Sequence, residues 1–213
     1  MKAKVAVATV TGKAYFLVVN ELKERNIDFL SIFPGGSVPA EAKVVITTEK
    51  EKHLINHEHV LVYDDKTSPN TVVNEAVKIL QGKESYEKIV VGVDPGEMFG
   101  LAVIADGKVN ETCNCFSVQE VVNKIKRVIR DFAVLSTVIS VKIGNGVPTY
   151  KTLLETLDTV LPPEVVLEVV SEAGTDRHID ANMHRRGLRD IVSATRIAGR
   201  AGHVYSRRTT ADE

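Results

Sequence analysis

The sequence contains no tryptophan, and aromatic residues make up only 5% of its 213 positions. A platform for single strands built on base stacking needs rings at close intervals, so that mode of binding is disfavoured. Cysteine is almost as scarce, with Cys113 and Cys115 the whole complement. Two thiols exclude a disulfide framework and a four-cysteine zinc site. A spacing of two is too short for an ordinary bridge within a strand, so they read as buried free thiols. An excess of one charge is missing too. Lys and Arg number 27 against 28 Asp and Glu, and the net charge of −1 argues against a strongly cationic nucleic-acid packager. No apolar run approaches the ~20 residues of a transmembrane helix, which excludes that kind of membrane partner. The opening Met1-Lys2-Ala3-Lys4-Val5 leads into no signal-peptide pattern, and the expected location is the cytoplasm.

What is present is ordinary globular material, 44% hydrophobic and 26% charged, enough for one large domain or two small ones. Short β-branched runs alternate with helical periodicity, the pattern of an α/β protein. In the first half, strands are expected at 5–10, 28–33, 43–48 and 59–63. Helices are expected at 13–25, with Phe16, Val19 and Leu22 on one face, and up to Leu80, capped by Ser68 or Asn70. Gly82-Lys83-Glu84-Ser85 reads as a linker, which sets domains of 1–82 and 88–213. The second half begins with three closely spaced strands, 88–93, 100–104 and 108–116, which implies antiparallel hairpins. Ser117-Val118-Gln119-Glu120 has capping-box spacing and opens a helix to Phe132. A strand (137–143), a helix (150–161), a strand (165–170) and a long helix (178–201) follow. The expected fold is therefore a mixed five-stranded sheet in the order β-β-β-α-β-α-β-α, with helices on both faces, preceded by a smaller parallel-rich α/β domain.

Asp94-Pro95-Gly96 ends the apolar run Ile89-Val90-Val91-Gly92-Val93. Asp-Pro-Gly is good turn chemistry, but an acid at the mouth of a strand also sits where ligands bind open sheets. Ile143-Gly144-Asn145-Gly146 closes a later strand, Val170-Ser171-Glu172-Ala173-Gly174 another, and Arg186-Gly187-Leu188-Arg189-Asp190-Ile191 lies in the last helix. In this order the segments resemble the YqgF and RuvC branches of the ribonuclease-H-like superfamily. The likeness is greatest to the YqgF-type domain of Tex transcription accessory proteins, and covers residues 88–203. The resemblance implies a nuclease, a phosphodiester hydrolase acting on structured DNA or RNA, with Asp94, Glu172 and Asp190 as catalytic carboxylates and ligands of Mg²⁺ or Mn²⁺. The alternative is a nucleic-acid-binding or interaction module that has lost its metals. RuvC-like enzymes carry a Glu on the fourth strand, where this chain has Ile139-Ser140-Val141-Lys142-Ile143. Lys142 is thus a candidate to face Asp94 and engage a phosphate, and Lys142→Glu would then restore a metal ligand.

Gly144, Asn145 and Gly146 lie in a strand-to-helix loop that reads equally as a phosphate-binding nest or as a tight turn with Thr149 as N-cap. From Arg177 to Arg208 eight arginines face only Asp180 and Asp190. Arg186, Arg189 and Arg196 are the expected nucleic-acid contacts in this stretch, though such a row also suits a solvated helix face. His178 and His184 are six apart, which is not zinc-ligand spacing. Residues 1–82 lack a dinucleotide fingerprint. They suggest no family, and a docking or homodimer-forming role is their default.

Overall fold

The structure is a computed structural model that describes residues 4–66, 68–132, 137–171 and 186–207, with no side chain described at 186–189. It divides into two compact units between Ser85 and Tyr86. Both are mixtures of helix and strand, one with a parallel and one with a mixed sheet.

The first unit contains β1 (Val5–Ala8), α1 (Gly12–Glu24), β2 (Phe29–Ile32), β3 (Val44–Thr48), a 3₁₀ turn (Lys52–Leu54), β4 (Val60–Tyr63) and α2 (Pro69–Gln81). The four strands are all parallel in the order β2-β1-β3-β4. Alternation sends Val5 and Val7 of β1 to the face that packs with Ala14, Val18 and Leu22 of α1 and Val72, Val73 and Ala76 of α2. Ala6 and Ala8 turn to the other face with Val45 and Ala42. Ser68 is the cap of α2, its hydroxyl accepting from Asn70 N–H at 3.3 Å, with Pro69 in the first turn. Asn70, the other candidate cap, is buried instead. It donates to Glu21 (3.1 Å) and accepts from Asn74 (3.0 Å), while Arg25 donates to both Glu21 and Asn74 and so ties α1 to α2. Gly82 ends α2 with φ of 68°, a left-handed cap that glycine adopts without a Cβ penalty.

The second unit contains β5 (Lys88–Asp94), β6 (Phe99–Ala105), β7 (Lys108–Cys115), α3 (Val118–Phe132), β8 (Val138–Gly144), α4 (Thr149–Val160), β9 (Val166–Val170), α5 (Arg186–Gly199) and β10 (His203–Val204). The sheet order is β10-β9-β8-β5-β6-β7. β5, β6 and β7 pair antiparallel, while β5, β8 and β9 pair parallel. The expectation of five strands is corrected by β10, which pairs antiparallel with β9, His203 opposite Val169. Two residues flanked by Gly202 and Tyr205 carry too little periodicity to be read as a strand. Ile89, Val91 and Val93 point to the core formed with α3 and α4, in which Val121, Ile125, Leu153 and Leu157 are buried. α5 covers the opposite face of β5 and β6. The start of α3 follows the capping pattern with one shift: Ser117 Oγ accepts from Glu120 N–H (3.2 Å), while Glu120 accepts from the N–H of Phe116 (2.7 Å), one residue before the cap. Among the described residues, no helix is long and apolar enough to cross a membrane.

Candidate functional site

Asp94 is the last residue of β5, half-buried, with Gly100 of β6 as its register partner. Gly92 precedes it by two and therefore shares its face. A Cβ at Gly92 would lie 2.1 Å from the carbonyl oxygen of Ala194 and 2.8 Å from the Cβ of Ala198, so α5 rests directly on this strand. At Gly100 a Cβ would lie 2.1 Å from the carbonyl oxygen of Asp190 and 2.9 Å from its Cβ. Asp190, Ala194 and Ala198 follow one another at helical spacing of four and form a single stripe. That stripe lies over Gly100 and Gly92, which places Asp190 above the partner of Asp94. Asp94 and Asp190, two of the three expected acids, are therefore placed on the same face of the sheet. Glu172 lies outside the described residues. Among the described residues no group of three or more His, Cys, Asp or Glu is arranged for a metal ion.

Lys142 corrects the expectation attached to it. It pairs in register with Gly92 and so faces α5, as Asp94 does. Its neighbour on the other side is Glu168 of β9, and the two charges lie 3.1 Å apart. Its Nζ also donates to the carbonyl oxygen of Arg200 at 2.5 Å, and the residue is only 8% exposed. Lys142 is thus a buried anchor for the chain leaving α5 and presents no ammonium to a phosphate. Lys142→Glu would set a second carboxylate against Glu168 rather than complete a metal site. Glu168 was missed in the sequence, although a charged residue inside the apolar run Val166-Leu167-Glu168-Val169 was its signal.

The loop after β8 also differs from the nest expected of it. The described glycines with positive φ are Gly35, Gly82 and Gly107, so Gly144 and Gly146 lack the left-handed step a nest requires. Gly144 is buried at the strand end, Asn145 N–H continues the ladder to Val170 O (3.1 Å), and Asn145 and Gly146 side positions are exposed. Pro148, not Thr149, occupies the N-cap of α4, and no side chain caps it. The basic C-terminal stretch is divided in function. Arg196 is exposed on α5. Arg207 instead clamps the end of α4, bonding Asp158 at 3.0 Å and the carbonyl of Leu161 at 2.7 Å, and Arg200 reaches Ser171 O at 3.4 Å. The side chains of Arg186 and Arg189 lie outside the described residues, as do His178 and His184 entirely.

The first unit has its own acid at strand ends. In a parallel sheet of order β2-β1-β3-β4 the order in which strands are added reverses between β1 and β3, where open α/β sheets usually hold ligands. Glu51 fills that point. Its carboxylate accepts from Thr9 Oγ1 (2.5 Å), Val10 N–H (2.8 Å) and the Thr48 hydroxyl. Burial alone would raise its pKa, but the hydroxyls of Thr48 and Thr9 and the N–H of Val10 outweigh it and hold the group below the ordinary carboxylate value. Nothing in the sequence around Glu51 marked it, because Thr9 lies 42 residues away.

Residues 4–80 are similar to the response regulator receiver-like domain, whose family model they match. This supplies a relative for the half of the chain that the sequence motifs left without one. No curated protein matches the chain. Among solved structures, the Argonaute of Marinitoga piezophila in complex with 5′ OH guide RNA aligns over 79% of this chain at 9% identity and a TM-score of 0.27. The C-terminal lobe of a budding yeast Argonaute aligns over 80% at 10% identity and a TM-score of 0.28. The chain spans 39% and 56% of the length of these two, and both scores lie below the level of a shared fold.

Proposed function

We propose that the second unit is a ribonuclease-H-like domain of the YqgF and RuvC type, and that it hydrolyses phosphodiesters of structured DNA or RNA with Mg²⁺ or Mn²⁺. One observation carries this reading: the backbone of Asp190 lies against Gly100, the register partner of Asp94. Carboxylates from a central strand end and from a helix packed across it supply hard oxygen donors, which fit Mg²⁺ or Mn²⁺. Asp94, Asp190 and Glu172 would hold the metal. Such ions would supply charge neutralisation at the phosphodiester and an acidified water. The chain itself contributes rigid placement, because strand pairing fixes Asp94 and close glycine contacts fix Asp190. Arg196, Arg186 and Arg189 on α5 suit the phosphates flanking the scissile bond.

The rival reading, a nucleic-acid-binding module without chemistry, draws on β8. Its residues facing α5 are Ser140, Lys142 and Gly144, none of them an acid, so the ligand set is smaller than in RuvC-like enzymes. Branched, duplex and single-stranded substrates incubated with Mn²⁺ separate the two. Cleavage should fall by more than about 100-fold in Asp94→Asn, the upper end of what losing even an outer-shell partner costs. Salt-sensitive binding with no cleavage would establish the rival. Equal cleavage by both proteins would reject the assigned site.

A further inference from the structure

Cys113 and Cys115 of the edge strand β7 stand opposite Leu101 and Phe99 of β6, which point into the core with α3, so this face of β7 is turned away from α5. Between β7 and α3 lies an open cavity of about 610 Å³, lined by both cysteines and by the polar side of α3. Its charged lining is Lys124, Lys126, Arg127 and Arg130 against the single carboxylate of Glu120, which is engaged by Phe116 N–H. A cavity of this size suits a small ligand or a segment of a longer one, and its charge selects an anion. We propose that it binds a run of phosphate groups through Lys126, Arg127 and Arg130.

The lining cations are only partly neutralised by the protein. Glu111 is shared by Lys124 Nζ and Arg127 Nη2 (3.2 Å), so one carboxylate serves two cations. Arg127 Nε is buried and has no hydrogen-bond partner among the described residues. A buried guanidinium donor left unpaired is costly, and an oxyanion in the cavity is the acceptor this fork lacks. Lys126 is exposed, and Arg130, bonded to its neighbour Asp131 at 3.4 Å, is 71% exposed. Four residues apart on α3, these two lie about 6 Å apart along the helix axis and on one side of it. Cations on successive turns match charges repeated along a chain, as in a polyphosphate or a nucleic-acid backbone, better than a lone carboxylate. Asn114, between the two cysteines, is the register partner of Gly100, itself the partner of Asp94, so the cavity lies at the level of Asp94. That level favours a nucleic-acid strand as the source of the phosphates, a choice that rests on the function proposed above; the site itself does not.

Calorimetric titration of the full chain with inorganic triphosphate, at low salt and without divalent ions, tests the site. One triphosphate should bind per chain. The double variant Lys126→Glu with Arg130→Glu, and Arg127→Lys, which keeps the charge and loses the fork, should each weaken binding by more than about 10-fold. Lys151→Glu, a reversal at an exposed position of α4, should leave it unchanged. Should the half-buried Arg127→Lys fail to fold, the exposed double variant decides. A single-stranded oligonucleotide then separates the sources. Where a strand supplies the phosphates, the salt dependence of its binding should flatten by about 0.7 for each residue reversed. Triphosphate binding without strand binding would assign the site to a free polyphosphate. No triphosphate binding by the wild type, wild-type affinity in the double variant, or an equal loss in Lys151→Glu would overturn the proposal.

Discussion

Glu51 is an acid whose stability effect has a sign fixed by its neighbours. Its native pKa lies below the ordinary value because three donors favour the carboxylate. The unfolded chain holds the proton more tightly, so the stabilisation is complete above the unfolded pKa and is lost as pH falls through the lower native one. Glu51→Gln should cost about 1–3 kcal/mol at neutral pH, the range for leaving buried partners unsatisfied. Urea denaturation from about pH 7 to about pH 3 should show the gap between wild type and variant narrowing below about pH 4. A gap that stays constant over that range would show that the carboxylate charge plays no part. Neither Glu51 nor Lys142 had a legible role in the sequence. Their partners, Thr9 and Glu168, lie 42 and 26 residues away, and only the strand registers bring them together. Alternation left open which face Lys142 takes until the register with Gly92 was known, and it said nothing of the competing acid on the next strand.

Among the elements, α5 determines whether a site exists at all. Its small-residue stripe approaches the sheet where two strands carry glycine, and any Cβ there meets helix backbone or its Cβ atoms within 2.9 Å. Gly92→Ala and Gly100→Ala should each destabilise the second unit by about 1–3 kcal/mol, the usual cost of overpacking, as read from urea midpoints. Gly100→Ala should in addition weaken Mn²⁺ binding, since it displaces Asp190, whereas Gly92→Ala acts further along the helix. Equal Mn²⁺ affinity in the two variants would separate α5 placement from the site. Some helix starts set by neighbouring residues were legible, Ser117 for α3 and Ser68 as one of two candidates for α2, because a capping interaction spans only three or four positions, whereas Thr149 was displaced from the cap of α4 by Pro148. Gly92 and Gly100 carried a readable signal as well, since glycine within a strand marks a close backbone approach. What approaches them was not readable, because it comes from Asp190, Ala194 and Ala198 of a helix far along the chain.

At the level of the whole chain, alternating strands and helices sufficed to show an α/β protein with a parallel sheet in one half and a mixed sheet in the other. Connection lengths account for part of the pairing: tight hairpins give antiparallel β5-β6-β7, and α1 and α4 cross between the parallel pairs β1-β2 and β8-β9, whereas β3 and β4 are joined by a 3₁₀ turn alone. The likeness of residues 4–80 to receiver-like domains was not legible, since that unit lacks a short motif. For the second unit the central claim is that Asp94 and Asp190 serve one metal site. Calorimetric titration of Mn²⁺ into wild type, Asp94→Asn, Asp190→Asn and the double variant tests it most directly. A shared site predicts that each single variant loses more than about 100-fold in affinity, and that the double variant loses little beyond either, because coupled residues are not additive. Wild-type affinity in Asp190→Asn, or losses that simply add, would show that the two carboxylates do not hold the same ion.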